Sequence, residues 1–171
     1  MNQIDKKKIV VAVLLVILLG WRFIPRSFSD VISVDTSKVI NYACSVNICG
    51  IDDNAMPFVQ PYDLETVKKG DENFEDVFSV LDKTGYRPDF RNLLPWAITK
   101  VESDDDLNEM NAIVVLVWGN EPNDNCIVHF LEDDKVSVSL GKRDGYLIYH
   151  PTNSETLKEL VEYIKLHGVE K

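Results

Sequence analysis

Three histidines, three cysteines, one acidic run and a pair of arginines are the residues whose type and spacing admit chemistry in this chain. His129 and His150 lie in neighbouring stretches of alternating residues. Pairing Leu131 with Val136 and Lys142 with Tyr146 sets both histidines opposite Val138, one on each side. Their Cα atoms then stand about 10 Å apart, because adjacent strands run about 4.8 Å from one another. A metal bound directly by both rings needs metal–nitrogen distances of about 2 Å, and no third ligand is at hand. The expectation is two histidines at the margin of a core, each with one hydrogen bond. His167 falls in the last turn of a terminal helix, where a cation suits the helix dipole.

Cys44 and Cys49 are five residues apart, so a continuous strand points them to opposite faces, and a bridge between them needs a turn within 45–48. Buried thiols are the expectation, since the chain has no C-x-x-C pair. Cys126 and His129 are three apart and also diverge, which rejects a catalytic dyad. Asp104, Asp106 and Asn108 match the first three ligand positions of a calcium loop. Glu109 stands where that loop needs glycine, however, and Val115 where it needs a closing glutamate, so the run reads as a solvated loop. Arg87 and Arg91 flank Pro88 and are candidate anion-binding residues, for a carboxylate or phosphate on a partner or for the protein's own Asp89. No nucleotide-binding loop, nucleophile elbow or H-E-x-x-H motif occurs. No catalytic, cofactor-binding or metal-binding residue is assigned.

The elements that must position these residues follow from hydrophobic period. Residues 39–49 alternate, with Ile40, Tyr42, Cys44, Val46 and Ile48 on one face, as a half-buried strand does. Pro57 and Pro61 bracket an extended stretch. Phe74, Val77, Phe78 and Leu81 form a helical stripe within 72–84, ended by Gly85 and Pro88. Strands are expected at Trp96–Glu102, Ile113–Trp118, Cys126–Leu131, Val136–Leu140 and Tyr146–His150, with Gly145 in a left-handed turn. A final helix carries Leu157, Leu160, Val161 and Ile164, opened by a Thr152/Glu155 capping box and closed at Gly168. The assumed register puts Ile127, His129, Leu131, Val136, Val138, Leu140, Tyr146, Ile148 and His150 under the helices. It leaves Phe130 and Tyr149 on a half-solvated face as candidate binding residues. The fold class expected is α+β: a mainly antiparallel sheet with two helices on one side.

Charge divides the chain. The net charge is -10; residues 1–29 hold one acid, Asp5, against five bases, which leaves -14 on the other 142 residues. A body that acidic repels phosphate backbones, which disfavours nucleic acid as a partner. Residues 9–21 form an uncharged apolar run after Lys6, Lys7 and Lys8. Extended through Ile24, with Arg22 snorkelling to the headgroups and Trp21 and Phe23 at the interface, residues 9–24 are expected to be a transmembrane signal anchor. The competing expectation is a cleaved signal peptide, whose nearest small-residue site is Ser27-Phe28-Ser29. The bases on either side of the run orient the N-terminus inside and the acidic body outside the cytoplasm.

The Lys-Lys-Lys start, the apolar run, the helix Phe74–Leu81 before Tyr86-Arg87-Pro88, and the Gly-Tyr-Leu-Ile-Tyr stretch leading into Leu157–Ile164 together resemble membrane-anchored extracytoplasmic domains of Gram-positive bacteria. That resemblance implies a location and a style of fold; it carries no activity and no functional residue.

The expectation is therefore a single-pass protein of the cell membrane. Residues 1–29 form its basic N-terminus and anchor, and residues 30–171 one acidic extracytoplasmic domain. Its expected role is non-enzymatic binding, sensing or an accessory, immunity-type function toward a basic protein or peptide, with no cofactor. Such a partner meets either the sheet face around Phe130 and Tyr149 or the acidic surface. The alternatives are a cell-surface hydrolase and a structural subunit of a membrane complex.

Overall fold

A computed structural model describes residues 3–51, 55–93, 110–132, 134–141 and 145–171. Its centre is one eight-stranded sheet in which every pair is antiparallel. The strands are β1 (Asn41–Ile51), β2 (Pro57–Lys68), β3 (Tyr86–Pro88), β4 (Asn111–Val117), β5 (Asn125–Leu131), β6 (Val136–Leu140), β7 (Tyr146–Pro151) and β8 (Val169–Glu170), in the spatial order β3-β7-β6-β5-β4-β1-β2-β8. Both edge strands are short, which limits edge-to-edge association. The helices are α1 (Gln3–Arg22), α2 (Phe28–Ile32), α3 (Asp76–Leu81) and α4 (Thr156–His167). The architecture is thus α+β with an antiparallel sheet and few helices.

The alternation in β1 is realised from Tyr42 onward: Tyr42, Cys44 and Val46 are buried, and Ala112, Val114 and Leu116 of β4 lie beside them, whereas Ile40 precedes the strand and is exposed, with Val39 buried instead. α4 packs on β1, β2 and β4 and touches α3, while α2 contacts β6. The stripe Leu157, Leu160, Val161 and Ile164 is buried, and so are Phe74, Val77, Phe78 and Leu81 around α3. Tyr42, Phe74 and Phe78 meet at centroid distances of 5.5–5.7 Å, the Tyr42–Phe78 pair edge-on.

α2 has no counterpart among the sequence expectations. Five residues are too few to display a helical period, yet Phe28, Val31 and Ile32 are fully buried. Its start is a capping box: the Ser27 hydroxyl accepts from the Asp30 N–H at 3.2 Å and the Asp30 carboxylate accepts from the Ser27 N–H at 3.3 Å. The Phe28 ring lies 5.8 Å from that of Tyr86, and Arg26 bridges to Tyr86 through the backbone, so the chain joins the sheet at this corner.

Several expectations are corrected. α1 is helical, but its first turns carry Asp5, Lys6, Lys7 and Lys8 and leave only residues 9–21 uncharged. At about 1.5 Å per residue that run covers about 20 Å of a hydrocarbon layer about 30 Å thick. Among the described residues no helix is long and apolar enough to cross a membrane, so the expected transmembrane helix is not supported as a complete span. The β5 and β7 faces are also reversed. Phe130, not Leu131, is opposite Val136, because Leu131 pairs with Lys135 across a three-residue link in which Asp134 is left-handed (φ 56°). On the other side Val136 faces Tyr149. Each shift is an odd number of residues, and with a side-chain period of two an odd shift turns a strand over. The Thr152/Glu155 box does not form either. Thr152 instead accepts the Gly85 N–H at 3.0 Å, and α4 begins later, behind an Asn153 turn that accepts the Glu155 N–H. Gly145 is left-handed as anticipated (φ 90°). The expected strand 96–102 and the acidic run 104–109 lie outside the described residues.

Tyr86 ties three elements together: fully buried, it donates its hydroxyl at 2.9 Å to the carbonyl of Leu81, the last residue of α3. That carbonyl has no partner within its own helix. Tyr86→Phe is expected to lower unfolding stability by about 1–2 kcal/mol through the orphaned carbonyl, and Tyr86→Ala by about 3–5 kcal/mol through the added cavity. Urea titration of the two variants checks the ordering; unchanged stability of Tyr86→Phe overturns the role given to the hydroxyl.

Candidate functional site

Helices cover one face of the sheet, so the other face and the sheet edges are where a partner or ligand can be met. The first cluster lies at the β3–β7 edge. Arg87 is the Cα partner of His150, and Asp89, two residues on, shares its face. The chain then enters a 3₁₀ turn, Phe90–Leu93, which folds back on β7. Asn92 makes this possible: its amide accepts from the Ile148 N–H at 2.9 Å and donates to the Ile148 carbonyl at 2.6 Å, a side chain completing a strand's ladder.

Asp89 is the centre of the cluster and is 8% exposed. Arg91 donates to it through Nε at 2.9 Å and Nη2 at 3.0 Å, its own backbone N–H adds a third bond at 2.8 Å, and His150 Nε2 lies 3.0 Å from Oδ2. The Arg91 guanidinium, with help from His150, holds the Asp89 carboxyl well below the usual carboxylate range against the opposing effect of burial. The cluster acts as a clamp that pins the turn to β7. Of the two arginines singled out in sequence, Arg91 is thereby committed to Asp89, while Arg87 stands exposed beside it. Asp89 and His150 form a carboxylate–imidazole pair, and among the described residues no hydroxyl or thiol is hydrogen-bonded to that imidazole. This is half of a nucleophile-activating arrangement.

The second feature is a trough of about 420 Å³ on the face away from the helices. Ala43, Ser45, Ile113 and Val115 form its floor, and Asp63, Glu65 and Lys171 its wall. Asp63 is held by Lys171 at 2.7 Å, whereas Glu65 is exposed. These residues were not singled out from the sequence. The signal was present in the second face of the 39–49 alternation and in Ile113–Trp118, which is apolar on both faces; a fully buried central strand was the simpler reading.

Phe130 and Tyr149 do not belong to an exposed face. They are 1% and 3% exposed and lie side by side with Val136 in the core, a direct consequence of the register described above. The face reversal moves His129 out of the core centre to a position between Ile113 and Ser137. Its Nε2 is nevertheless sealed from solvent and has no hydrogen-bond partner among the described residues, and burial lowers its pKa. His129 and His150 are not neighbours: the Cα partner of His129 is Ser137, and that of Ser137 on the next strand is Ile148.

Cys44 and Cys126 are buried, and burial pushes each thiol up to about 12, which suits packing and not nucleophilic chemistry. No disulfide joins the cysteines, since β1 runs straight through 44–49. Among the described residues no group of three His, Cys, Asp or Glu stands close enough to hold a metal ion.

Compared with family models, with curated proteins and with solved structures, the chain finds no match in any of the three.

Two pH effects follow. Asp89 has a depressed folded pKa, so its contribution is complete above the ordinary carboxylate pKa of about 4 and is lost as pH falls below it. Asp89→Asn is expected to cost about 2–3 kcal/mol at pH 7 and distinctly less at pH 3, read from urea unfolding at both values. A pH-independent loss overturns the clamp. His129 has a lowered folded pKa, so its unfolded form takes up protons first and stability falls as pH drops below about 6.5. His129→Met should flatten the stability profile between pH 6.5 and 5, as followed by thermal melts; an unchanged slope sinks the assignment.

Proposed function

We propose that this protein is a membrane-tethered, extracytoplasmic binding domain of accessory or immunity type, whose partner is a basic protein or peptide. The observation that carries the proposal is the charge division: a net -14 on the 142 residues after a short basic, apolar N-terminal segment. An acidic field of that size raises the encounter rate with cations and is screened by salt. The open, partly apolar sheet face supports the same reading, since it offers contact area that the helices do not use.

Residues 9–24 are the proposed tether. The large apolar side chains from Ile9 to Leu18 are more than half exposed, and Trp21 is 73% exposed, so this surface is not used by the body. The run is short for a bilayer, and the tether relies on Arg22 reaching the headgroups along its own aliphatic stem. Cleavage after Ser29 is disfavoured on packing grounds: it removes Phe28 from the core and the cap from α2.

The Asp89–His150 pair is the one observation that favours a hydrolase. It is outweighed by Arg91, which occupies both oxygens of the carboxylate and gives the pair a structural task.

The tether and its orientation are tested by a single exposed cysteine, Glu121→Cys with Cys49→Ser, in wall-stripped cells treated with a membrane-impermeant maleimide. Labelling before lysis, with the protein in the membrane fraction, is the expected outcome. Labelling only after lysis overturns the orientation, and recovery in the soluble fraction overturns the tether.

A further inference from the structure

β1 and β2 do not end with the sheet. β1 pairs with β4 only from Asn41 to Asn47, whereas its pairing with β2 continues to Ile51↔Pro57. The last four residues of β1 and their partners in β2 therefore form a two-stranded arm beyond the β4 edge. A two-stranded ribbon has no core of its own, and this one carries large apolar side chains in solvent: Ile51 is 74% exposed, Val59 48% and Phe58 41%. The arm is nonetheless shaped. The Phe58 ring covers its Cα partner Gly50 so closely that a Cβ there would stand 2.7 Å from the ring. Pro57 and Pro61 share a parity on β2. The Pro61 carbonyl accepts the Lys171 N–H on the outer side, so both prolines face the sheet edge, where a missing N–H blocks further strand pairing. Strand addition is thus discouraged and side-chain contact remains.

Side-chain parity continues the arm into the trough. Cys49, Ile51 and Val59 share the face of Ala43 and Ser45. From Ala43 to Ile51 the stripe is about 26 Å long at about 3.3 Å per residue, the length of a helix of about 17 residues. Acids border it at Glu65, along the trough, and at Glu132, near enough to Cys49 to act on its thiol. Ser45 and Asn47, whose amide donates to Asn111 at 3.3 Å, interrupt the stripe between the trough and the apolar arm. A partly apolar stripe with a negative border is complementary to one chemistry, an amphipathic segment whose polar face is cationic. Lipid is the competing occupant, because Arg26 joins the sheet through Tyr86, which pairs with Pro151 at the same end from which the arm projects. The acidic border argues against anionic headgroups.

We propose that the β1–β2 arm and the trough behind it form the docking site for a cationic amphipathic segment of a protein or peptide partner. This rests on the basic-partner reading above and adds the surface and the partner's second property, an apolar face.

The test uses the full chain in nanodiscs of neutral phosphatidylcholine and two fluorescent probes of equal charge. One is a lysine–leucine peptide of about 18 residues with leucines at helical spacing, the other an oligolysine. Anisotropy reads affinity, corrected with empty nanodiscs, and the alkylation rate of Val59→Cys in a Cys49→Ser background reads occupancy of the arm. The expected result is that the amphipathic peptide binds more tightly than oligolysine, slows alkylation, and is weakened about tenfold by Ile51→Ser with Val59→Ser. Both positions are exposed, and an unchanged melting temperature verifies the fold. Binding that leaves the alkylation rate and the double variant unaffected overturns the docking site while the basic-partner reading stands. Failure of both peptides to bind overturns the basic-partner reading as well. Alkylation slowed by the bilayer alone, relative to detergent solution, assigns the arm to lipid and overturns the proposal.

Discussion

Leu64, Cys44, Val114, Val128, Val138 and Leu147 form a continuous row of Cα partners across six strands of the sheet. A parallel row runs through Val46, Ala112, Phe130, Val136 and Tyr149 to Pro88. All the helices that pack on the sheet draw on this one apolar face, and burial of such rows is the main favourable term available to a domain of this size. Because the strands contribute alternate residues, a slip of one residue in a strand turns its buried set away from the helices, and in β1 it would bring Ala43, Ser45 and Asn47 under them. The register is therefore held collectively, and the turns must comply with it.

The one-sided core has a consequence for the opposite face. That face carries the Asp89 clamp, the trough and the His129 ring, and it is closed only locally, where Asp89, Ser137 and Ile148 are buried. The clamp shows how such a face is kept ordered at its margin. A charge-assisted fork on Asp89 and the Asn92 amide on Ile148 hold a short turn whose own apolar side chains, Phe90 and Leu93, stay exposed. The His129 ring nitrogen is sealed on this face without a partner among the described residues, and so is a point at which stability depends on protonation.

The arm follows from the same geometry. Where β4 stops, β1 and β2 have no third strand among the described residues, and Ile51, Phe58 and Val59 remain exposed. Surface of that kind is retained at a cost in solubility.

Composition and period alone establish the charge division, the apolar run at residues 9–21, the α+β class, the strand at 39–49 with its buried face, and the stripes of α3 and α4. Each is a local property: charge is additive, and an alternation or an i, i+3, i+4 stripe is visible in a window of a few residues. Asp89 as the carboxylate held by Arg91 was an option the sequence offered, since the two are only two residues apart. Tertiary structure alone decides which face of β5 and β7 is buried. Cys126, Val128 and Phe130 compete with Ile127, His129 and Leu131 as core faces, and the winner depends on whether the link to β6 has three residues or four. Val136 and Val138 then have to meet Phe130 and Val128 across the strand gap, a contact that no window of sequence contains. The arm and the trough were hidden for the same reason, because how far a strand outruns its neighbour is a property of the pair.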